Sequence, residues 1–137
     1  MAEHCIFCKI IAGEIQGERV YEDKKTLAFL DIKPVSRGHT LLVPKEHYDD
    51  LLASPDDTLT NLIATVKKIG RAVKEAFKAD GFNIAVNNGR SAGQSVEHVH
   101  FHIIPRYQAD DLQLWQGRQY GHGEAAEVGK ILRSKLR

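Results

Sequence analysis

The chain has 137 residues, of which 42% are hydrophobic and 27% charged, and its formal net charge is +1 at pH 7. This length suits one domain, spanning residues 1–137, that buries about two-thirds of its unfolded surface. Interspersed charges argue against a nucleic-acid partner, and no apolar run is long enough to cross a membrane. The N-terminus lacks a signal-peptide pattern. Cys5 and Cys8 lie too close together for a disulfide between them to stabilise the fold, so we expect a cytoplasmic protein.

The first third of the chain predicts a short helix followed by three strands. The helix covers residues 7–11 and stops at Gly13. Short apolar runs separated by polar turns predict strands at residues 20–22, 26–30 and 38–44. A proline closes the third run, which fits a strand end because proline cannot donate to a ladder.

A long amphipathic helix follows from about residue 56 to residue 79. Ser54 can cap this helix, and Pro55 suits its first position. Apolar residues then recur at helical spacing and form one stripe: Leu59, Leu62, Ile63, Val66, Ile69, Val73, Ala76 and Phe77. The residues 80–81, Asp-Gly, are expected to end the helix.

A histidine-rich strand is the main chemical feature of the chain. Residues 98–105 read His-Val-His-Phe-His-Ile-Ile-Pro, and they follow a predicted strand (82–87) and a loop rich in Gly, Ser and Asn (88–95). Strand alternation turns the apolar side chains toward the core and all three imidazoles toward the opposite face. A strand with only a structural role does not need three adjacent side chains that titrate near neutral pH, so this run indicates an active site.

The C-terminal part of the chain predicts an irregular segment and one more helix. Residues 106–122 have weak periodicity around Trp115, and apolar spacing predicts a helix from about residue 124 to 136. Strands outnumber helices, and no regular alternation of strand and helix occurs. The sequence therefore predicts an α+β domain on a mostly antiparallel sheet.

Three histidines on one strand face allow more than one chemistry. One zinc ion, with bonds of about 2.1 Å to nitrogen, is unlikely to bind all three because the outer pair lies about 13 Å apart along the strand. Neutral imidazole is also a good nucleophile for phosphorus when an acceptor holds its other ring nitrogen. The adjoining loop offers donors and close backbone approach to an anion, through Gly89, Gly93, Asn87, Gln94 and Ser95. A metal-dependent hydrolase and a nucleotide-binding module with little turnover are the alternatives.

Residues 87–105 closely resemble the signature of the histidine-triad (HIT) superfamily of nucleotide hydrolases and transferases. That signature reads His-φ-His-φ-His-φ-φ, where φ is apolar, and every φ position is filled here. The resemblance extends back through residues 28–34 and 38–44 and covers about residues 5–107. It implies the HIT fold, a five-stranded antiparallel sheet with one long helix and a C-terminal helix. It also implies a homodimer whose two sheets join, with the long helix at the interface.

The resemblance implies a role for each matching residue. His100 corresponds to the nucleophile, which attacks the α-phosphorus of a nucleotide while the backbone carbonyl of His98 holds its Nδ1–H. His39 corresponds to a supporting histidine beside the triad. Phosphate contacts are implied for Asn87, Gln94, Ser95 and His102. Contacts to the ribose and base are implied for Asp31, Phe7, Ile10, Phe29 and Ile32. Ordinary core packing is the alternative for the apolar members.

Two positions resemble the Hint-like branch of the superfamily. Asn87 and Ser95 match that branch, which hydrolyses purine nucleoside 5′-phosphoramidates to AMP or GMP and an amine. The Fhit-like branch, which cleaves dinucleoside polyphosphates, usually has Gln and Thr at these positions and is the alternative. The tail after Pro105 is longer than the Hint-like terminus, so the resemblance leaves the leaving group open.

Cys5 and Cys8 have the spacing of zinc ligands. Several HIT proteins resemble this chain in pairing such cysteines with two later histidines, and the matching positions are His47 and His98. The resemblance thus implies a closed structural Zn²⁺ site, while catalysis by the central histidine needs no metal. Two free thiols with His47 at the surface are the alternative.

Overall fold

A computed structural model describes residues 3–136 as one antiparallel sheet with three α-helices, so the ends of the expected 1–137 domain lie outside the described residues. The elements are α1 (Ile6–Ile11), β1 (Arg19–Glu22), β2 (Thr26–Leu30), β3 (Thr40–Pro44), α2 (Asp56–Phe77), β4 (Gly81–Val86), a 3-10 turn (Arg90–Ala92), β5 (Phe101–Arg106) and α3 (Glu124–Lys135). The strand order is β1-β2-β3-β5-β4, and every neighbouring pair is antiparallel. The predicted α+β class and five-stranded antiparallel sheet are confirmed.

Both faces of the sheet are covered, which explains why β2 and β3 are buried along nearly their whole length. Side chains alternate across a strand, so Leu27 and Phe29 pack with α1 while Ala28 packs with α2. On β5, Phe101 and Ile103 face the core as predicted, where they pack with α2. His102 alternates with them and therefore lies on the α1 face. The candidate site lies on that face.

The ends of α2 differ from the predicted ones. The Ser54 hydroxyl donates to the Asp50 carbonyl at 2.8 Å, and Pro55 is the N-cap without a side-chain hydrogen bond, so the predicted serine cap is wrong. The helix ends at Phe77, because Lys78 adopts a left-handed conformation with φ 51°. The apolar stripe is also wider than the face that packs on the sheet, since Ile63 is 53% exposed.

The histidine segment is not a strand throughout. β5 begins at Phe101, and the backbone N–H of Val99 donates to the Tyr48 carbonyl at 2.8 Å instead of to a neighbouring strand. The His98 ring points toward the cysteine pair, where its Nδ1 lies 3.4 Å from the Cys5 sulfur. The prediction that all three histidines lie on one strand is therefore wrong for the first two of them, although the rings of His98 and His100 both lie beside Phe7 of α1.

The C-terminal segment lies at the surface. Arg106 anchors its start, because the guanidinium donates to the Asp110 carboxylate at 2.8 and 3.1 Å and to the Asn83 side chain at 2.6 Å. The following stretch is irregular, as predicted, with Trp115 95% exposed. Within residues 3–136, no helix is both long and apolar enough to span a membrane. The expected cytoplasmic location stays a prediction.

We expect Gly38→Ala to lower the free energy of unfolding by about 3 kcal/mol. Gly38 has φ +96°, and a Cβ there would lie 2.5 Å from the Phe77 ring, so the substitution combines backbone strain with overpacking. The matched control is Gly13→Ala, because Gly13 has φ +81° but no heavy atom within 4 Å of a built Cβ. Backbone strain alone should lower the free energy of unfolding of Gly13→Ala by about 1 kcal/mol. Urea unfolding measures both variants, and equal losses would contradict the packing of Phe77 on Gly38.

Candidate active site

The His100 imidazole has one ring nitrogen engaged and the other available. Its Nδ1–H donates to the His98 carbonyl at 2.7 Å, which leaves the lone pair on Nε2. The residue is 5% exposed, and its ring meets the Phe7 ring edge-on with centroids 5.0 Å apart. Burial lowers the pKa of His100, although the His98 carbonyl and the Asp31 charge act in the opposite direction. A neutral imidazole with a fixed tautomer and a free Nε2 is a competent nucleophile near pH 7.

A second imidazole, that of His102, is oriented by His39. The backbone N–H of Val35 donates to Nδ1 of His39 at 3.0 Å, so the proton of His39 is on Nε2 and is donated to Nδ1 of His102 at 3.0 Å. His102 therefore keeps an N–H on Nε2 as a hydrogen-bond donor. Burial lowers the pKa of His39, despite a raising effect of Asp31, and lowers that of His102 to about 4. This arrangement is what the expected supporting role of His39 requires.

A cavity of about 240 Å³ opens beside His100 and His102. Its lining includes six residues that the sequence predicted for ligand contacts: Phe7, Ile10, Phe29, Asp31, Ile32 and Ser95. Three of the apolar members also belong to the buried core, whereas Ile32 is 89% exposed. The Asp31 carboxylate accepts from the Lys33 N–H through one oxygen at 2.9 Å. The cavity thus joins an apolar wall to a carboxylate, a hydroxyl and two imidazoles.

Gln94 and Asn87 do not line this cavity. The Gln94 amide oxygen accepts from the Gly89 N–H at 2.8 Å, and its nitrogen donates to two backbone carbonyls at 2.6 and 3.0 Å. The Gln94 side chain has no donor left and shapes the loop, so the phosphate contact expected of the Gln94–Ser95 segment stays a prediction. The Asn87 amide nitrogen lies 3.5 Å from the Gly93 carbonyl, at the other side of the same loop.

A second cluster lies next to the nucleophile. The Sγ atoms of Cys5 and Cys8 and the Nδ1 atoms of His47 and His98 all lie within 4.8 Å of one another. The two nitrogens are 3.2 Å apart, and three sulfur–nitrogen distances are 3.4, 3.4 and 3.6 Å. A tetrahedral zinc ion with bonds of about 2.1 Å to nitrogen and about 2.3 Å to sulfur holds its ligand atoms about 3.3–3.8 Å apart. The four residues therefore have the chemistry and the spacing of a zinc site.

Backbone and carboxylate groups direct both histidines of this cluster. Nε2–H of His98 donates to the Pro44 carbonyl at 2.8 Å, and Nε2–H of His47 donates to the Asp49 carboxylate at 2.9 Å. Both Nδ1 lone pairs consequently point to the centre of the cluster. Burial lowers the pKa of His98 to about 4 and raises that of the Cys5 thiol. The sequence analysis did not identify Asp49, although its position two residues after the candidate ligand His47 was a signal. The Pro44 carbonyl is a backbone group, so no residue type in the sequence signals its role.

The free energy of unfolding should fall as the pH drops from about 6.5 to about 4. In this pH range His102 becomes protonated in the unfolded chain but stays neutral in the folded protein, because its pKa in the folded protein is about 4. Stability from this group is complete above pH 6.5 and declines toward pH 4. Urea unfolding near neutral pH and at about pH 5 should show a smaller loss for His102→Gln than for the wild type. Equal losses in the two proteins would contradict the burial of a neutral His102.

Comparisons with known proteins agree with this geometry. The family model described as HIT domain matches residues 12–109. An uncharacterized HIT-like protein of Methanocaldococcus jannaschii is 59% identical over 129 residues, which cover 94% of this chain and 96% of that protein. The adenosine 5′-monophosphoramidase of Candida albicans is 46% identical over 112 residues, or 77% of this chain and 74% of that enzyme. Among solved structures, a zinc-bound histidine triad family protein from Mycobacterium smegmatis aligns with a TM-score of 0.78 and 37% identity, covering 96% of this chain and 97% of the other. The chain therefore belongs to the HIT domain family.

Proposed function

We propose that this protein hydrolyses purine nucleoside 5′-phosphoramidates through a covalent nucleotidyl intermediate on His100. The observation that carries the proposal is the neutral, buried His100 ring with Nδ1–H on the His98 carbonyl at 2.7 Å and Nε2 available. The cavity beside this ring supplies the carboxylate and the apolar wall that a nucleoside requires. A relative at 46% identity is an adenosine 5′-monophosphoramidase, which supports the same choice of substrate.

The reaction proceeds in two displacements at the α-phosphorus. In the first, Nε2 of His100 forms a bond to phosphorus, the bond from phosphorus to the amine nitrogen breaks, and that nitrogen takes up a proton from solvent and leaves as the neutral amine. The histidine ring becomes positively charged, and the His98 carbonyl, which accepts its Nδ1–H, stabilises that charge. In the second, water attacks the same phosphorus and loses a proton to solvent, the bond from phosphorus to Nε2 breaks, the nucleoside monophosphate is released, and His100 returns to its neutral form.

Other residues around the cavity bind and orient the nucleotide. The Nε2–H of His102 donates to a phosphate oxygen, and the Ser95 hydroxyl donates to the leaving amine. Asn87 does not line the cavity, and its expected phosphate contact would be made by the amide nitrogen that lies 3.5 Å from the Gly93 carbonyl. Asp31 accepts hydrogen bonds from the ribose hydroxyls, since one carboxylate oxygen is not used by the Lys33 N–H. Four apolar residues enclose the base: Phe7, Ile10, Phe29 and Ile32.

Two further parts of the proposal concern a metal and a partner. Zn²⁺ fits the Cys5–Cys8–His47–His98 cluster as a structural ion, and it would tie α1 to the histidine segment. A second copy of the chain would pair along β4, an edge strand on which Ile84 is 46% exposed, and along the outer face of α2, where Ile63 is exposed. Two five-stranded sheets would then form one ten-stranded sheet.

Hydrolysis of adenosine 5′-phosphoramidate, compared with that of a diadenosine polyphosphate, tests the proposal. We expect the phosphoramidate to be cleaved much faster. A strong preference for the polyphosphate would instead favour the Fhit-like alternative. Binding of AMP without cleavage of either substrate would favour a nucleotide-binding module. Metal-dependent turnover that forms no adduct on His100 would favour a metal-dependent hydrolase.

A further inference from the structure

We infer that the Cys5–Cys8–His47–His98 cluster positions the nucleophile, so that a zinc ion bound there raises the rate of nucleotide transfer to His100. In this role His98 is a positioning residue, because it acts on the reaction through His100. The inference rests on the proposed function and adds to it a link between metal occupancy and turnover.

The link is a single peptide unit, formed by the carbonyl of His98 and the N–H of Val99. The carbonyl accepts Nδ1–H of His100 at 2.7 Å, and the N–H donates to the Tyr48 carbonyl at 2.8 Å. Since a peptide unit is planar, these two hydrogen bonds together define the direction in which the carbonyl points. The direction of the carbonyl in turn fixes the plane and tautomer of the His100 ring.

Both ends of this peptide unit lead to residues of the metal cluster. The His98 side chain places Nδ1 among the cluster atoms, and Tyr48 directly follows His47 in the chain. The sheet does not hold the unit, because β5 begins only at Phe101. The cluster and the Pro44 carbonyl, which accepts from the His98 ring at 2.8 Å, therefore hold the segment in place.

Helix α1 provides a second connection between the cluster and the nucleophile. Cys5 is its N-cap and Cys8 lies in its first turn, so a bound ion fixes the start of a helix that is too short to be stable alone. Phe7 lies between the two cysteines, and its ring centroid is 5.0 Å from that of His100 and 6.1 Å from that of His98. Movement of α1 would displace the ring that packs on the nucleophile.

Loss of the ion should loosen this arrangement. The Nδ1 atoms of His47 and His98 are both acceptors and lie 3.2 Å apart. A metal ion holds all four ligand atoms at once, whereas a thiol hydrogen joins only one pair. A displacement of about 1 Å at a reacting group costs about 100-fold in rate.

The first test compares zinc-loaded and chelator-treated protein by NMR of the histidine ring ¹H–¹⁵N signals. We expect a protected Nδ1–H signal, assigned by its absence in His100→Gln, in the loaded protein. It should be lost on removal of zinc and return when zinc is added. Single-turnover transfer of AMP from adenosine 5′-phosphoramidate to His100 should slow by about 10- to 100-fold in parallel.

Two variants separate positioning from general stability. Asp49→Ala removes the carboxylate that holds His47 and should weaken zinc affinity by about 10- to 100-fold, with signal and rate restored by excess zinc. Ile69→Ala destabilises the core on the opposite face of the sheet and should keep both signal and rate. The inference would be overturned if metal-free protein, shown to be folded by circular dichroism, kept both the Nδ1–H signal and the rate of nucleotide transfer. If the zinc-loaded protein transfers no nucleotide, the proposed function is wrong. The NMR comparison then still shows whether zinc holds the His100 ring in position.

Discussion

His100→Ala is expected to lower kcat for adenosine 5′-phosphoramidate by about 10³-fold or more. The substitution removes the Nε2 that attacks phosphorus, and the other imidazoles cannot replace it. His102 is turned by His39 so that its Nε2 carries a proton, and His98 has both ring nitrogens engaged. Steady-state hydrolysis measures the loss.

Binding of AMP distinguishes this loss from a disrupted cavity. Calorimetry should show that His100→Ala still binds AMP, because the apolar wall and Asp31 remain. The matched control is His122→Ala, which removes an exposed histidine outside the cavity and should hydrolyse the substrate at the wild-type rate. Activity of His100→Ala close to that of the wild type would mean that another residue is the nucleophile.

Removal of zinc is expected to destabilise the wild type by about 4 kcal/mol when zinc was present at about a thousand times its Kd. For a domain of this size, that loss lowers Tm by about 15 °C. The physical reason is that the ion would join Cys5 and Cys8 at the start of α1 to His47 and His98 elsewhere in the chain. Thermal unfolding with and without a chelator measures the change.

Cys8→Ala provides the control for the metal effect. This variant loses one ligand and a buried side chain, so its Tm should be low and should respond little to zinc or chelator. Elemental analysis of the wild type purified without chelator should find one zinc per chain. A wild-type Tm that is the same in both conditions, together with no bound zinc, would exclude a structural zinc site.

The sheet could be predicted from the sequence because its signals are local. The pattern of residues 26–30 predicted β2 with its observed ends, and the alternation at Phe101 and Ile103 predicted that these side chains face the core. The start of β5 could not be predicted in this way. The alternation of side chains continues back to His98, whereas the backbone there leaves the ladder to bond the Tyr48 carbonyl.

The chemical residues of the site were predictable, but the backbone groups that orient them were not. The sequence pointed to His100, His102, Asp31 and the four cluster residues, all of which the structure places at two adjacent sites. The hydrogen bonds of Gln94 could not be predicted, because its residue type shows a possible donor, while only the folded loop shows that both side-chain N–H groups donate to backbone carbonyls. Carbonyl acceptors such as that of Pro44 depend on strand ends and have no residue signature.

The central claim is that the reaction passes through a covalent bond between phosphorus and His100. The most direct measurement is mass spectrometry of wild-type protein quenched during turnover of adenosine 5′-phosphoramidate, followed by digestion. The account predicts a mass increase of one adenylyl group on the peptide that contains His100, and none in His100→Ala. Turnover without any adduct, or an adduct on His102 instead, would contradict it.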